Sequence, residues 1–391
     1  MSPLPILIAG GGIAGLAGAL GLARIGREAR VLEQAQAFET VGAGLQIGPN
    51  AVRALDYLGA WERVAPASFA PPGIVIRDGH SGRVLQHIPL GAQFEQRFGA
   101  PYRVIHRADL LSGLVDAARS QPAISLLTGT PVTGFADRHD HVEVETDKAA
   151  MRGEALVGAD GIRSAIRQTL VADGPPVRHS EILYRSLAEL DATLDTQLAH
   201  VTLWLCRAGH VVHYPVRGGN ALNLVAAART GDWPGAGWSA SATREELEFH
   251  FRGAHAELRR ILALADSWRK WAAASRAPAR TWSRGRVTLI GDAAHASLPY
   301  LAQGAAMALE DAVVLSRHVQ SGETIAGALR AYETRRMPRT ERIIRESRRL
   351  GDIYHAGGPL RMARNLVLRM TGHGGFLDRL AWIYGFDATA A

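Results

Sequence analysis

The 391-residue chain is 47% hydrophobic and 21% charged, the balance of a folded globular protein long enough for two domains. Its formal charge of +7 is almost all arginine, since only Lys148 and Lys270 are lysine, and arginines scattered without a basic run exclude a dedicated polyanion-binding arm. The single cysteine, Cys206, excludes an internal disulfide and a dithiol redox centre, and fits a reducing cytoplasm.

Residues 6–23 carry no charge and are long enough to resemble a membrane span. Gly10, Gly11 and Gly12 divide them and no basic stretch precedes them, which favours a soluble strand and helix. Residues 5–9, PILIA, read as a buried strand, followed by a glycine turn opening into a small-residue helix. REARVLEQ then forms a second strand ending at Glu33. The G-x-G-x-x-G of this βαβ unit is Gly10, Gly12 and Gly15. Gly10 allows the tight turn, Gly12 the approach of a pyrophosphate, and Gly15 close packing of helix on strand. Glu33 is placed to accept hydrogen bonds from a ribose diol.

Beyond it, VGAGLQIGPNAVRALDYLG is a turn feeding a helix, and GIVIRD with RVLQHIPL bracket a hairpin turn. HRADLLSGLVDAARS reads as a helix, residues 124–160 as strands and turns, and residues 181–229 as several strands including HVTLWLC, HVVHYPV and ALNLVAAA. EELEFHFRGAHAELRRILALA reads as one long helical segment. Trp268 and Trp271 lie at helix spacing and are read as packing. RVTLIGD returns as a buried strand with Asp292 at its carboxyl end, where ligands gather in open α/β sheets. After Pro299, a helix is expected to begin near Gln303 or Gly304, its free amides pointing at an anion. His139 and His141 lack further ligands, so no metal is expected.

Gly10-Gly12-Gly15 with Glu33, the ADGIRS segment at 159–164, and GDAAHASLPYLAQGAAMALEDA at 291–312 together resemble the three fingerprints of the class A, single-component FAD-dependent aromatic hydroxylases of the para-hydroxybenzoate hydroxylase fold. By motif the chain is nearest to the enzymes acting on 3-hydroxybenzoate, salicylate and 6-hydroxynicotinate. The resemblance implies a mixed α/β fold. Residues 1–75, 101–180 and 280–345 would form a discontinuous Rossmann-like FAD-binding domain. Residues 76–100 and 181–279 would form an inserted β-sheet substrate domain, and 346–391 a C-terminal helical segment that packs on the core or makes a homodimer contact.

It also implies FAD held through Gly10, Gly12, Gly15, Glu33, Arg107 and Asp292, with Gly304 and Ala305 near the flavin ring and Asp160 and Arg163 in the second fingerprint. NADH or NADPH would visit as co-substrate, since no second G-x-G-x-x-G is present. O2 would yield a C4a-hydroperoxyflavin that hydroxylates a small phenolic or N-heteroaromatic carboxylate, aided by a base at the substrate hydroxyl. Along HVVHYPV, His213 shares a face with Val211 and Pro215, and His210, Val212 and Tyr214 share the other. The resemblance points to His213 as base, assisted by Gln303, with His295 second; Tyr184, Tyr214 and Pro299 are pocket candidates, and Arg185 or Arg217 the carboxylate partner. An NAD-dependent dehydrogenase, a non-catalytic flavin-binding protein, and an epoxidase or hydroxylase of a larger natural product remain as alternatives.

Overall fold

The computed structural model describes residues 4–38, 42–190, 198–231, 233, 237–322 and 324–390. Its first layer is a six-stranded sheet in the order Ser283–Arg284, Val287–Leu289, Ala155–Gly158, Ile6–Ala9, Ala29–Leu32, Ile124–Leu127. All its pairs are parallel except the Ser283–Arg284 edge. Ile6, Leu7 and Ile8 are wholly buried, as a parallel strand covered on both faces requires.

Four strands of this sheet lead to chemistry-bearing residues: Ala9 runs into the glycine turn, Leu32 into Glu33, and Gly158 into Ala159 and Asp160. Val287–Leu289 leads through Ile290 and Gly291 to Asp292. The helix Ile13–Arg24 lies so close behind the first strand that a side-chain carbon on Gly15 would fall 1.9 Å from the Gly10 carbonyl oxygen. Gly10 itself takes φ 108°, a conformation few side chains tolerate.

The second layer is an eight-stranded sheet in the order Ser239–Ala242, Trp268–Ser275, Val177–Glu189, Ala221–Arg229, Gly209–Val216, Val201–Cys206, Gly73–Asp78, Val84–Pro89. The hairpin near residue 80 joins it by parallel pairing of Gly73–Asp78 with Val201–Cys206. One face is sealed by a core of Tyr184, Trp204, Val211, Leu224, Phe251 and Leu258. The other carries Leu183 and Ala227, which pack with Leu298 and Tyr300. Both faces are therefore buried.

Two local expectations change. The segment near 245–265 is two helices, Arg244–Phe251 and Ala256–Leu262, because the chain turns at 252–255 around Gly253. Trp268 and Trp271 belong to the strand Trp268–Ser275, so their spacing of three reflects no helix.

The helix Gly304–Ser321 begins where the sequence places it, with Gln303 as its N-cap. It is followed by the 30-residue helix Ile325–Tyr354. The end of that helix packs at Gly351 against the short turn Pro299–Leu301, where a side chain would collide with the Tyr300 ring. Two helices complete the chain, Gly358–Met370 and His373–Tyr384. Tyr384 packs among Phe94, Phe98 and Tyr102, whereas Leu360, Met362 and Met370 stand exposed. Among the described residues no helix is long and apolar enough to cross a membrane.

Candidate active site

A cavity of about 370 Å³ lies between the two layers. One wall is main chain: Gly12 and Ile13 at the start of the first helix, Gly161 in the second fingerprint, and Gly304 and Ala305 at the start of the helix Gly304–Ser321. Neither helix start has a side-chain cap, so their first amides are available to a ligand. At Gly12, Gly161 and Gly304 a side-chain carbon would enter open space rather than protein. Gly161, at φ 76°, needs glycine for its backbone, but Gly12 and Gly304 would tolerate larger residues unless something else occupies the space, which suits a bound dinucleotide.

The acidic residues of the fingerprints differ in their surroundings. Asp292 is exposed and opens into the cavity; desolvation by the surrounding walls pushes its carboxyl above the usual range, with His295 and Arg107 opposing. Asp160 accepts from the amides of Ala165 (2.8 Å) and Ile166 (3.2 Å) through Oδ2, while its buried Oδ1 has no partner. Burial raises its pKa too, against hydrogen bonds that lower it. Glu33 accepts from the amides of Gly11 (2.6 Å) and Ala35 (2.8 Å) and so braces the glycine turn, with acceptor directions to spare for a diol. Arg107 lines the cavity; Arg163 is exposed.

The opposite wall is one face of the large sheet. Register aligns three rows across its central strands: Leu183, Ala227 and His210; Arg185, Val225 and Val212; Leu187, Asn223 and Tyr214. His210, Val212, Tyr214, Leu183, Arg185 and Val225 all line the cavity, with Pro299 at its edge. Arg185 has no salt bridge to a carboxylate among the described residues; its buried Nε lacks a partner and its guanidinium lies 5.3 Å from the Trp271 ring. Burial lowers its pKa, with Arg107 adding to the effect and Tyr214 opposing it. An unpaired, partly desolvated cation facing a cavity is a seat for an anion. Arg217 is not among the lining residues.

His213 does not reach this cavity. Strand alternation turns it to the other face, where its Nε2 accepts from the Trp204 indole at 3.1 Å. Burial, with Arg77 nearby, pushes its pKa down to about 3. Tyr184 is likewise on the far face, its hydroxyl donating to Glu246 at 2.8 Å. Gln303 sits at the right helix start, but its side chain turns away from the cavity to accept from Asn50 at 2.9 Å. His295 is buried against Asp311, which also accepts from the Gly291 amide at 2.8 Å, so it holds the turn rather than a substrate.

Glu310 and Asp311, polar neighbours in sequence, are both wholly buried. Burial opposes their ionisation. Arg336 and Arg339 nevertheless hold Glu310, and His295 and Arg336 hold Asp311, below the usual carboxylate range. This cluster pins the helix Gly304–Ser321 to the long helix after it.

His210 is the cavity's histidine. Its Nδ1 lies 2.9 Å from Nε2 of His355, the residue that ends the long helix, which leaves Nε2 of His210 for a ligand. Burial chiefly, and His355 next, lower its pKa to about 3, with Glu181 opposing.

The family described as FAD binding domain matches residues 3–347. The chain is 38% identical to the 3-hydroxybenzoate 6-hydroxylase of Polaromonas naphthalenivorans (strain CJ2), covering 98% of this chain and 96% of the relative. It is 37% identical to the 3-amino-4-hydroxybenzoate 2-monooxygenase PtnB3 of Streptomyces platensis, covering 98% and 96%. Among solved structures, a salicylate hydroxylase substrate complex superposes with a TM-score of 0.84 at 28% identity, covering 100% of this chain and 97% of the other. The glycine-walled cavity and these likenesses agree: the chain belongs to the FAD-binding family of single-component aromatic hydroxylases, flavoprotein monooxygenases that use FAD as cofactor and NAD(P)H as co-substrate.

Proposed function

We propose that the enzyme hydroxylates a small ring bearing both a phenolic hydroxyl and a carboxylate, with 3-hydroxybenzoate foremost and hydroxylated N-heteroaromatic acids in the same class. The observation that carries this reading is the pairing of one unpaired cation, Arg185, with one histidine, His210, on a mostly apolar sheet face. Two strands and two residues separate them, so their Cα atoms stand roughly 12 Å apart, room for one substituted benzene ring between the side chains. The relatives' named substrates, a hydroxybenzoate and an aminohydroxybenzoate, carry these two groups.

Bound FAD supplies electron transfer from NAD(P)H and the activation of O2, which no side chain here provides. The main chain at Gly10, Gly12, Gly304 and Ala305, with Glu33, Arg107, Asp160 and Asp292, would hold it. Arg185 binds the substrate carboxylate, while Leu183, Val212, Tyr214 and Pro299 enclose the ring. His210 replaces His213 as the base: its Nε2 accepts the phenolic proton, and the resulting oxyanion enriches the ring carbons ortho and para to it. In 3-hydroxybenzoate the para carbon is position 6. The division into residues 1–75, 101–180 and 280–345 for the cofactor, 76–100 and 181–279 for the substrate, and 346–391 as a helical tail follows the two sheets in outline, with the strands Gly73–Asp78 and Val177–Glu189 moving the substrate bounds to about 73 and 177, and the helix Ile325–Tyr354 carrying the last bound to about 355. The exposed side of Gly358–Met370 is assigned to a homodimer contact, and the lone Cys206 supports a cytoplasmic location.

The test is NADH oxidation by the FAD-loaded enzyme with the three monohydroxybenzoate isomers, benzoate and phenol, with product and peroxide measured together. Hydroxylated product from 3-hydroxybenzoate, and little stimulation by benzoate or phenol, is expected. Absence of hydroxylated product from every phenolic acid would overturn the reading.

A further inference from the structure

The base faces a second histidine and then a carboxylate. Beyond the 2.9 Å contact between His210 Nδ1 and His355 Nε2, Nδ1 of His355 lies 3.7 Å from Glu181 Oε1. The two imidazoles stack with centroids 5.2 Å apart at 24°. Glu181 is one row further along the same sheet face, paired in register with Arg229, whose guanidinium is 3.2 Å from it. Arg229 is 42% exposed and also meets Asp352, which is 74% exposed, at 3.3 Å. These groups therefore stand in a row from the cavity to the surface while both histidines remain buried; the His355–Glu181 step is an ion-pair distance rather than a hydrogen bond, and Nδ1 of His355 has no hydrogen-bond partner among the described residues.

The other titratable and charged groups facing this pair come from three elements. Tyr300 from the loop and Tyr354 from the long helix pack edge-on against His210, and Tyr300 stands perpendicular to His355. His179 and Arg348 lie along the Glu181 edge. Glu181 is held ionised: the His355 contact and Arg229 outweigh burial and bring its pKa to about 2.

At 3.7 Å the negative charge of the carboxylate attracts an N–H and repels a lone pair, so it favours the His355 tautomer with hydrogen on Nδ1. Nε2 of His355 must then accept, Nδ1 of His210 must donate, and Nε2 of His210 is left with a lone pair toward the substrate. The opposite arrangement would aim a lone pair of His355 at an anion and an N–H of His210 at the phenol.

We propose that His355 and Glu181 are positioning residues that fix His210 as a proton acceptor and carry the phenolic proton out of the cavity. The inference rests on His210 being the base. In the transfer, the phenol O–H bond breaks and its proton bonds Nε2 of His210. The Nδ1–H bond of His210 breaks and that proton bonds Nε2 of His355. The ring oxygen keeps the electron pair, His210 ends neutral, and the positive charge rests on His355 beside the Glu181 carboxylate. A cation on His210 alone would sit desolvated between aromatic rings; on His355 it gains an adjacent anion.

FAD-loaded Glu181→Gln, His355→Gln and His210→Asn enzymes, compared in single-turnover hydroxylation of 3-hydroxybenzoate from about pH 6 to about 10, test the relay. The first two variants should hydroxylate about tenfold or more slowly at neutral pH, with substrate Kd from flavin absorbance changed less than about threefold; the deficit should shrink toward the phenol's own pKa. A wild-type rate profile in both, or a deficit equal at every pH, overturns the relay. If only His210→Asn is impaired, the relay fails and the base assignment stands; if His210→Asn is also unimpaired, the base assignment has failed. Should the relay variants lose FAD, nitrogen-15 NMR of labelled histidines in the wild-type holoenzyme decides. Hydrogen on Nδ1 of both His210 and His355 supports the proposal, and hydrogen on Nε2 of either overturns it.

Discussion

His210 and His213 stand three residues apart on the strand Gly209–Val216, yet one faces the cavity and the other accepts from the Trp204 indole on the far side of the sheet. His210→Asn should therefore slow hydroxylation by about 100-fold or more. His213→Ala should leave the rate within about twofold but cost roughly 1–3 kcal/mol of stability, because the buried Trp204 N–H loses its acceptor. Product formation and thermal melts of the two variants separate the roles; the reverse pattern would return the base to His213.

Arg185 offers an unpaired guanidinium to the cavity, so Arg185→Met should weaken carboxylate binding by about 1.5–3 kcal/mol, the range for hydrogen bonds to charged groups. The loss should appear in substrate Kd more than in the single-turnover rate. An equal loss for a substrate analogue without a carboxylate would remove the assigned partner.

Gly12 and Gly15 separate cofactor space from packing space. Gly12→Val directs its side chain into open volume, so the fold should survive while FAD content falls. Gly15→Val meets the Gly10 carbonyl and should lower the melting temperature or prevent folding. Asp292→Asn should retain the fold and release FAD more readily. Flavin absorbance per mole of folded protein, read beside the melts, distinguishes the three, and full flavin retention in Gly12→Val would contradict the cofactor's placement.

Acid should destabilise the protein in two stages. His210 and His213, at about 3 in the fold and about 6.5 when unfolded, stay neutral while the unfolded chain takes up protons. Their contribution is complete above the unfolded value and declines as pH falls from about 6.5 toward about 3. Glu310 and Asp311 are depressed, so their contribution is present above the ordinary carboxylate range and lost as pH falls through their lowered values. Asp311→Ala removes the anion beside buried His295, leaves Arg336 with Glu310 alone, and should cost about 3–5 kcal/mol at neutral pH. Denaturant titrations across pH check both; a melt insensitive to pH between 6.5 and 4 would contradict the histidine contribution.

The nucleotide-binding half was legible because its signals are local. An apolar strand, three glycines and an acid at the next strand's end are all consecutive, and the start of the helix at Gly304 follows from its flanking residues. The substrate face was less so. Alternation along GHVVHYPV separates His210 from His213, but both sets are apolar enough to be buried, and both faces are covered, so the period alone does not tell which face holds the cavity. Tyr184 was misplaced for the same reason.

Long-range pairs left still less trace. His355 meets His210 across 145 residues, and Asp311 meets Arg336 across 25, with no periodic signal linking them. A histidine ending a long helix and adjacent acids within an apolar one are the only hints the chain offers. Gln303 was placed correctly on its element, but the rotamer that ties it to Asn50 depends on a helix that begins more than 250 residues earlier.

A sheet covered on both sides gives its odd and even positions separate evolutionary fates. Leu183, Val212 and Val225 line the cavity, while the alternating residues Tyr184, Val211 and Leu224 hold the layer behind them. Single replacements among the first three can reshape the room around a substrate without disturbing the second set. Ring-position preference can thus drift by point mutation, and a saturation library restricted to alternate residues of three strands is a compact route to new hydroxylation products.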